Sequence, residues 1–401
     1  MTATIGATGA RMAATIAEYR ADPEAFAGIA GVPPALAARL PGWLDEGFAA
    51  AELLDACRAI PAGQLPGSPA WVGAFGARGD AHEGLGRVAE ARGDADRARV
   101  EYLTAAFYFF LARFPHIFSP DARAAYRRHQ DAYLRAASTF DPPLEVVRLP
   151  LDGGEVVGYL RVPRRPAGPP PVVVLSGGLD VWKSDSELHG VAEALLAAGL
   201  ATLALDAPGT GENPLPAAPG AERAYTAAIA HLKARPDVAG DRIGCFGLSF
   251  GGHWAVRLWC VSPDLRAVVN VGGPVHHTFA PAWCAELGPG LLAPLAVMLG
   301  EDFAALGPRG VCARLGALSL VDAGLLAPQP GAPALLSING ARDEQVTIAD
   351  LAVISERGVP QDSLVFASDR HVASRNRALH LPFAVRWLAH RLGGEATAPP
   401  A

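Results

Sequence analysis

The chain has 401 residues, half of them hydrophobic and 18% charged, enough for one large globular domain and a smaller one. A formal net charge of −6 and the lack of any Lys/Arg cluster exclude the usual electrostatic footprint for nucleic acid. No run of about 18 apolar residues occurs, so no transmembrane helix is expected.

Residues 1–19 lack the charged start and unbroken apolar stretch of a signal peptide. The five cysteines, Cys57, Cys245, Cys260, Cys284 and Cys312, are scattered and form no C-x-x-C pair. Neither zinc nor a disulfide framework is expected from them, and a reduced, cytoplasmic setting follows.

Residues 1–142 read as helical. Ala, Leu and Arg dominate, and apolar residues recur at three- and four-residue spacing, as in Tyr102, Ala105, Ala106, Phe109 and Phe110. Prolines punctuate the helices, and Asp141-Pro142-Pro143 marks a boundary. Residues 93–106 look like one helix of a tetratricopeptide repeat. A single copy makes no array, so helix–helix packing is the reading.

The pattern then changes. Residues 144–151 and 156–162 flank Asp152-Gly153-Gly154, a hairpin signal. Further short apolar runs follow at 171–176, 201–205, 242–246, 265–271, 334–338 and 363–367. Helical stretches at 186–198, 222–234, 253–259 and 348–357 separate most of them. A hairpin followed by β/α alternation predicts an α/β fold with an eight-stranded, mainly parallel sheet over 143–401. The alternation breaks at 274–333, which holds three helical stretches, at 283–287, 291–299 and 311–320. An insertion there and the N-terminal helices are expected to cover the site as a cap.

The fifth apolar run leads into Gly247-Leu248-Ser249-Phe250-Gly251, and a helix follows. Strand, sharp turn with Ser and helix together form a nucleophile elbow. Ser249 must adopt strained φ/ψ, and Gly247 and Gly251 let strand and helix pass close to it. A Ser hydroxyl needs a base, and the base needs a carboxylate. The seventh run ends in Asn339-Gly340-Ala341-Arg342-Asp343-Glu344, and the eighth in Ser368-Asp369-Arg370-His371. Asp343 is the expected acid, with Glu344 and Asp369 as rivals, and His371 the expected base. The oxyanion donors are expected to be the Phe250 N–H and a backbone N–H of Gly178 or Leu179, in the turn Ser176-Gly177-Gly178-Leu179-Asp180.

Other polar residues carry weaker readings. Asp206-Ala207-Pro208-Gly209-Thr210-Gly211 reads as a structural turn. Asp180, Lys183, His276 and His277 are candidate substrate contacts. For Lys183, Asp185 and Glu187 a solvated helix start is the favoured alternative, and for the His pair a structural role. Tyr102 and Tyr108 are candidate pocket walls against a core alternative. Adjacent His276 and His277 lack a carboxylate at ligand spacing, so no metal is expected. Nothing in the chain calls for a cofactor.

Taken together, these motifs resemble the α/β-hydrolase group that includes 2,6-dihydroxypseudooxynicotine hydrolase, fungal polyketide-shortening hydrolases and FrsA-type esterases. The resemblance spans nearly the whole chain: the helical preface, Gly158-Tyr159-Leu160-Arg161-Val162-Pro163, Gly177-Gly178-Leu179-Asp180, the Asp206 turn and the elbow. It implies a Ser249–Asp343–His371 triad and hydrolysis of a C–C bond in a ketone or 1,3-diketone, or of an ester. The substrate implied is a medium-sized polyketide-like or aromatic carbonyl compound. A non-hydrolytic tailoring enzyme (acyltransferase, cyclase or eliminating lyase) is the alternative, and a non-catalytic binding protein a lesser one. The expected partner is the small-molecule substrate, with neither nucleic acid nor membrane. Oligomeric state stays open, a homodimer being compatible with the fold.

Overall fold

A computed structural model of the chain describes residues 32, 33, 36, 39–163 and 168–393. The 1–19 stretch read for a targeting signal, and with it the first 31 residues of the helical 1–142 reading, lie outside the described residues. The chain divides into two compact units, Met1–Thr139 and Phe140–Ala401.

The first unit is helical throughout its described part: α1 (Leu40–Asp45), α2 (Ala50–Arg58), α3 (Pro69–Ala91), α4 (Ala95–Arg113) and α5 (Pro120–Ala137). Each long helix starts on a side-chain cap. Ser68, Asp94 and Ser119 accept from the N–H groups of Trp71, Arg97 and Ala122, and Pro69 and Pro120 occupy the first turns of α3 and α5. The aromatic stripe of α4 has a steric partner in α3. A Cβ on Gly86 would lie 2.7 Å from the Tyr102 ring, and one on Gly79 2.4 Å from the Phe109 ring. Both pairs are seven residues apart, so two turns of α3 offer two glycine seats to two rings of α4. The rest of the core includes Trp43, Trp71, Phe75, Phe107, Tyr108 and Phe110.

The second unit is built on eight strands: β1 (Leu144–Leu151), β2 (Gly154–Arg161), β3 (Val172–Ser176), β4 (Ala201–Leu205), β5 (Ile243–Leu248), β6 (Leu265–Val271), β7 (Ala334–Gly340) and β8 (Asp362–Phe366). Their spatial order is β1-β2-β4-β3-β5-β6-β7-β8. β1–β2 and β2–β4 are antiparallel, and every later pair is parallel. Central β3 and β4 are buried at every position, which is why they read as unbroken apolar runs rather than alternating ones. Helices α6 (Ser186–Ala197), α7 (Arg223–Ala234), α8 (Phe250–Val261), α12 (Ala349–Glu356) and α13 (Arg377–Arg391) alternate with the strands. The predicted strands and crossover helices fall within a few residues of these.

The insertion after β6 holds a 3₁₀ turn (His277–Phe279), α9 (Pro281–Glu286), α10 (Pro289–Met298) and α11 (Phe303–Gly316). The last begins eight residues before the predicted start at 311. Asp302 caps it by accepting from the Ala304 N–H, and a bend at Gly307 (φ 65°) and Pro308 hides the helical period. Cys284 of α9 and Cys312 of α11 are joined by a disulfide, with Cα atoms 5.6 Å apart. This corrects the expectation of unpaired thiols. The two cysteines are 28 residues apart in sequence and become neighbours only when the insertion folds. The cysteine argument for a reduced setting therefore falls, since disulfides persist chiefly in oxidising compartments. Among the described residues no single helix is long and apolar enough to cross a membrane.

Candidate active site

The elbow forms where β5 hands over to α8. Ser249 sits between them at φ 55°, ψ −126°, one of three described non-glycine residues with positive φ. Its neighbours explain how such a backbone is tolerated. A Cβ on Gly247 would lie 2.1 Å from the Gly251 carbonyl oxygen, and one on Gly251 2.3 Å from those of Ser176 and Gly177. Only glycine leaves room for the crossing of β3, β5 and α8, and the crossing in turn holds the Ser249 hydroxyl clear of the sheet.

His371 and Asp343 come from neighbouring loops at the same end of the sheet. Ser249 Oγ lies 2.8 Å from His371 Nε2, and His371 Nδ1 lies 2.7 Å from Asp343 Oδ2. The second bond fixes the tautomer. A carboxylate accepts at Nδ1, so that nitrogen carries the proton and Nε2 is left to accept from the Ser249 hydroxyl. Asp343 is fully enclosed and well supplied with donors. Its Oδ1 accepts from the N–H groups of Gln345 (2.8 Å) and Val346 (3.0 Å), and its Oδ2 also accepts from Asn339 Nδ2 (2.9 Å). Burial pushes the Asp343 carboxyl upward, but the charge and hydrogen bond of His371, with the Val346 and Asn339 donors, outweigh it and hold the group below its usual range.

The two rival carboxylates point elsewhere. Asp369 accepts from the Asn376 N–H and side chain and from the Arg370 N–H, so it shapes the loop that carries His371. Glu344 is mostly exposed and pairs with Arg370.

Gly178 faces the elbow. A Cβ there would lie 2.7 Å from Ser249 Cβ, 3.0 Å from its Oγ and 3.1 Å from the Phe250 nitrogen. The turn after β3 therefore runs against the nucleophile and beside the Phe250 N–H, which as a first-turn amide has no intrahelical acceptor. The strap beyond the turn is pinned in place. Trp182 donates its indole N–H to the Leu179 carbonyl (3.1 Å), and its backbone N–H donates to Asp185 Oδ2.

Lys183 departs from both of its readings. Its side chain is 0% exposed, and its ammonium donates to Asp206 (2.5 Å) and Glu212 (2.6 Å) and sits over the Tyr159 ring. Its backbone N–H also donates to Asp206. Lys183 is thus neither a solvated helix start nor a substrate contact, but an internal strut between the strap and the Asp206 turn. Asp185 is buried as well, while Asp180 is half-buried. The Asp206 turn is structural, as expected. A Cβ on Gly211 would strike the Asp206 carboxylate, and one on Gly209 would strike the Met298 carbonyl at the end of α10.

His276 and His277 open the insertion. Their backbone N–H groups and that of Thr278 donate to the buried Asp350 of α12. His276 Nδ1 is engaged by Ser319 Oγ at 2.7 Å, which favours the structural reading of this residue. Tyr102 and Tyr108 belong to the interior of the helical unit, which corrects their reading as pocket walls. Tyr102 donates to Glu90, and Tyr108 stacks on His82. The sequence reading missed Asn339 and Asp350. Short polar residues at a strand end or helix start are too common to stand out, and only the fold reveals what they hold.

Strand order, elbow and the Ser–His–Asp contact together define an α/β-hydrolase fold. The model of the FrsA-like esterase family matches residues 71–391, and the chain belongs to that family. It is 34% identical over 148 residues to the 2,6-dihydropseudooxynicotine hydrolase of Paenarthrobacter nicotinovorans, covering 36% of this chain and 40% of that protein. It is 30% identical over 260 residues to the Esterase FrsA of Pectobacterium atrosepticum, covering 62% and 60%. These matches thus span 40% to 60% of the relatives' own length. Among solved structures, the 2,6-dihydroxy-pseudo-oxynicotine hydrolase superposes with a TM-score of 0.76 at 24% identity, over 90% of this chain and 97% of that one. AbyA5 superposes with a TM-score of 0.71 at 23% identity, over 86% and 91%. At these identities the superpositions speak for the fold.

Proposed function

We propose that the protein is a serine hydrolase in which Ser249 is the nucleophile, His371 the general base and Asp343 the orienting acid. The observation that carries this reading is the unbroken chain from Asp343 Oδ2 through His371 to Ser249 Oγ, ending on a residue held at positive φ. His371 Nε2 takes the hydroxyl proton as Oγ attacks a carbonyl carbon, and Asp343 stabilises the resulting imidazolium. The oxyanion that develops is met by the Phe250 N–H and a backbone N–H of Gly178 or Leu179. Collapse breaks the bond to the leaving group, which takes the proton back from Nε2. Water, deprotonated by His371, then releases the acid and restores Ser249.

The leaving group is an alkoxide for an ester or a carbonyl-stabilised carbanion for a ketone or 1,3-diketone. Relatives named as an esterase and as 2,6-dihydropseudooxynicotine hydrolase support that pair of chemistries. A medium-sized aromatic or polyketide-like carbonyl compound fits both, and the 274–333 insertion would govern its access and that of water.

The test is intact mass spectrometry after incubation with a fluorophosphonate. One adduct on the wild type and none on Ser249→Ala is the expected result, followed by turnover on an ester and aryl-ketone panel. An unmodified wild type, also with a smaller phosphonyl fluoride, would sink the reading.

A further inference from the structure

The Asn339 side chain is 3% exposed and sits at the end of β7, where it makes three hydrogen bonds. Its Nδ2 donates to Asp343 Oδ2 (2.9 Å), and its Oδ1 accepts from the N–H groups of Val372 (3.0 Å) and Gly340 (2.9 Å). The amide orientation is fixed by chemistry. The opposite one would set oxygen against a carboxylate oxygen and NH₂ against two N–H groups.

One side chain thus ties together the loop that carries Asp343 and the loop that carries His371. The second loop needs such a tie. Val372 and Ala373, directly after His371, lie at φ 55° and 48°, a region L-residues avoid, and β-branched Val most of all. The neighbouring backbone is equally tight: a Cβ on Gly340 would lie 2.1 Å from the Arg370 carbonyl oxygen.

We propose that Asn339 is a positioning residue for the reaction, holding Asp343 and the backbone beside His371 in one rigid frame. This inference rests on reading Ser249, His371 and Asp343 as the triad. Asn339 touches no reacting atom. It acts by presenting the acid to the base and by pinning the residue that follows the base. The titratable groups facing it are Asp343 and His371. Asp369 turns its carboxylate to Asn376, Arg370 pairs with Glu344, β8 brings the neutral Val365 alongside, and β6 ends on Val271 opposite the preceding Ile338.

The test is the second-order rate of fluorophosphonate labelling from pH 5 to 9 for wild type, Asn339→Leu and Asn339→Asp, with Ser249→Ala as blank. Asn339→Leu keeps the size but no hydrogen bond, and its labelling is expected to slow about 10- to 100-fold, the scale of a misplaced catalytic group. Asn339→Asp separates positioning from packing. When protonated, its carboxyl donates to Asp343 and accepts from Val372 as the amide does. When ionised, it sets a second carboxylate against the first.

Labelling of Asn339→Asp is therefore expected near wild type at the acid end, and to fall away as pH rises, a limb the wild type lacks. Circular dichroism at each pH confirms the fold, and if Asn339→Leu does not fold the Asp variant decides alone. An Asn339→Asp profile that superimposes on wild type, or wild-type labelling of folded Asn339→Leu, overturns the proposal while leaving the triad intact. A wild type that is not labelled, or labelled no better than Ser249→Ala, overturns the triad and this inference with it.

Discussion

The elbow that carries Ser249 and the loop that carries His371 both place non-glycine residues at positive φ, yet they hold them there by different means. At the elbow the strained residue is flanked by Gly247 and Gly251, whose missing Cβ atoms let three backbone segments cross at contact distance. Steric fit dictates the turn, backed by hydrogen bonds from the Ser249 N–H to the Val271 carbonyl (2.8 Å) and from the Gly252 N–H to the Ser249 carbonyl (2.7 Å). In the His371 loop the two residues at positive φ are Val372 and Ala373, and the glycines that make room for the loop, Gly272 against Val372 and Gly340 against Asp369 and Arg370, belong to other segments. Side-chain acceptors do the holding: Asn339 of β7 accepts from the Val372 N–H, and Asp369, earlier in the same loop, accepts from the Asn376 N–H and side chain. A turn made by packing is written in its own residues, whereas a turn made by remote bonds is written somewhere else in the chain.

The sharpest test of that difference is to add one carbon to the elbow. In Gly251→Ala the new Cβ would meet two main-chain carbonyl oxygens at 2.3 Å, and no flexible side chain is available to yield. Backbone must move, and a loss of on the order of 4 kcal/mol or more is expected. Thermal unfolding should fall by about 10 °C or more, or the variant should fail to express as a folded protein. An unfolding temperature within about 2 °C of wild type would show that the elbow is not sterically locked.

The helix behind the elbow carries a second, pH-dependent demand. His253 of α8 is fully buried, its Nδ1 donating to the Pro274 carbonyl at 3.0 Å and its Nε2 without a partner among the described residues. Burial drives its pKa down to about 3, with the nearby Arg257 charge adding to the fall and the Pro274 bond opposing it. The fold therefore keeps His253 neutral while the unfolded chain, with an ordinary His pKa near 6.5, takes up a proton. Stability is flat above that pH and declines as pH falls from about 6.5 towards 3, at up to about 1.4 kcal/mol per unit for this group. His253→Met removes the titration. Its drop in unfolding temperature between pH 7 and pH 5 should be several degrees smaller than that of wild type, whatever its stability at pH 7. His189 and His380, also depressed to about 4 and chiefly by burial, leave a residual slope in both proteins. Equal slopes in the two would mean that His253 contributes nothing to acid sensitivity.

The same distinction explains what could be read in the sequence. The sheet was legible because β3 to β6 are mostly apolar runs between helical periods, and the elbow because Gly247-Leu248-Ser249-Phe250-Gly251 names its own geometry. Asp343 and His371 followed from their places after β7 and β8. Lys183 was misread, because a Lys followed by Ser and Asp resembles an exposed helix start until Asp206 and Glu212 arrive from another loop to enclose it. The Cys284–Cys312 bond, the Asp350 cap on the insertion and the bond between Asn339 and the Val372 N–H were hidden for the same reason. Each joins segments the chain separates, and nothing in either segment alone marks it.

The smallest expected effect probes the His371 loop itself. If hydrogen bonds hold Val372 at φ 55° against its preference, a residue that accepts this region should be more stable there. Asn is such a residue, since its short polar side chain tolerates the left-handed conformation. Val372 is half-buried, and the packing at stake is that of its Cγ1 methyl on Gly272. Val372→Asn is expected to stabilise by up to about 1 kcal/mol, the scale of a left-handed penalty on one residue, and to raise the unfolding temperature by about 2 °C. The matching substitution is barred at the elbow, where the strained residue is the proposed nucleophile. A destabilised Val372→Asn would mean that the Val372 side chain contributes more by packing than its backbone costs, and the two turns would then be held by the same force.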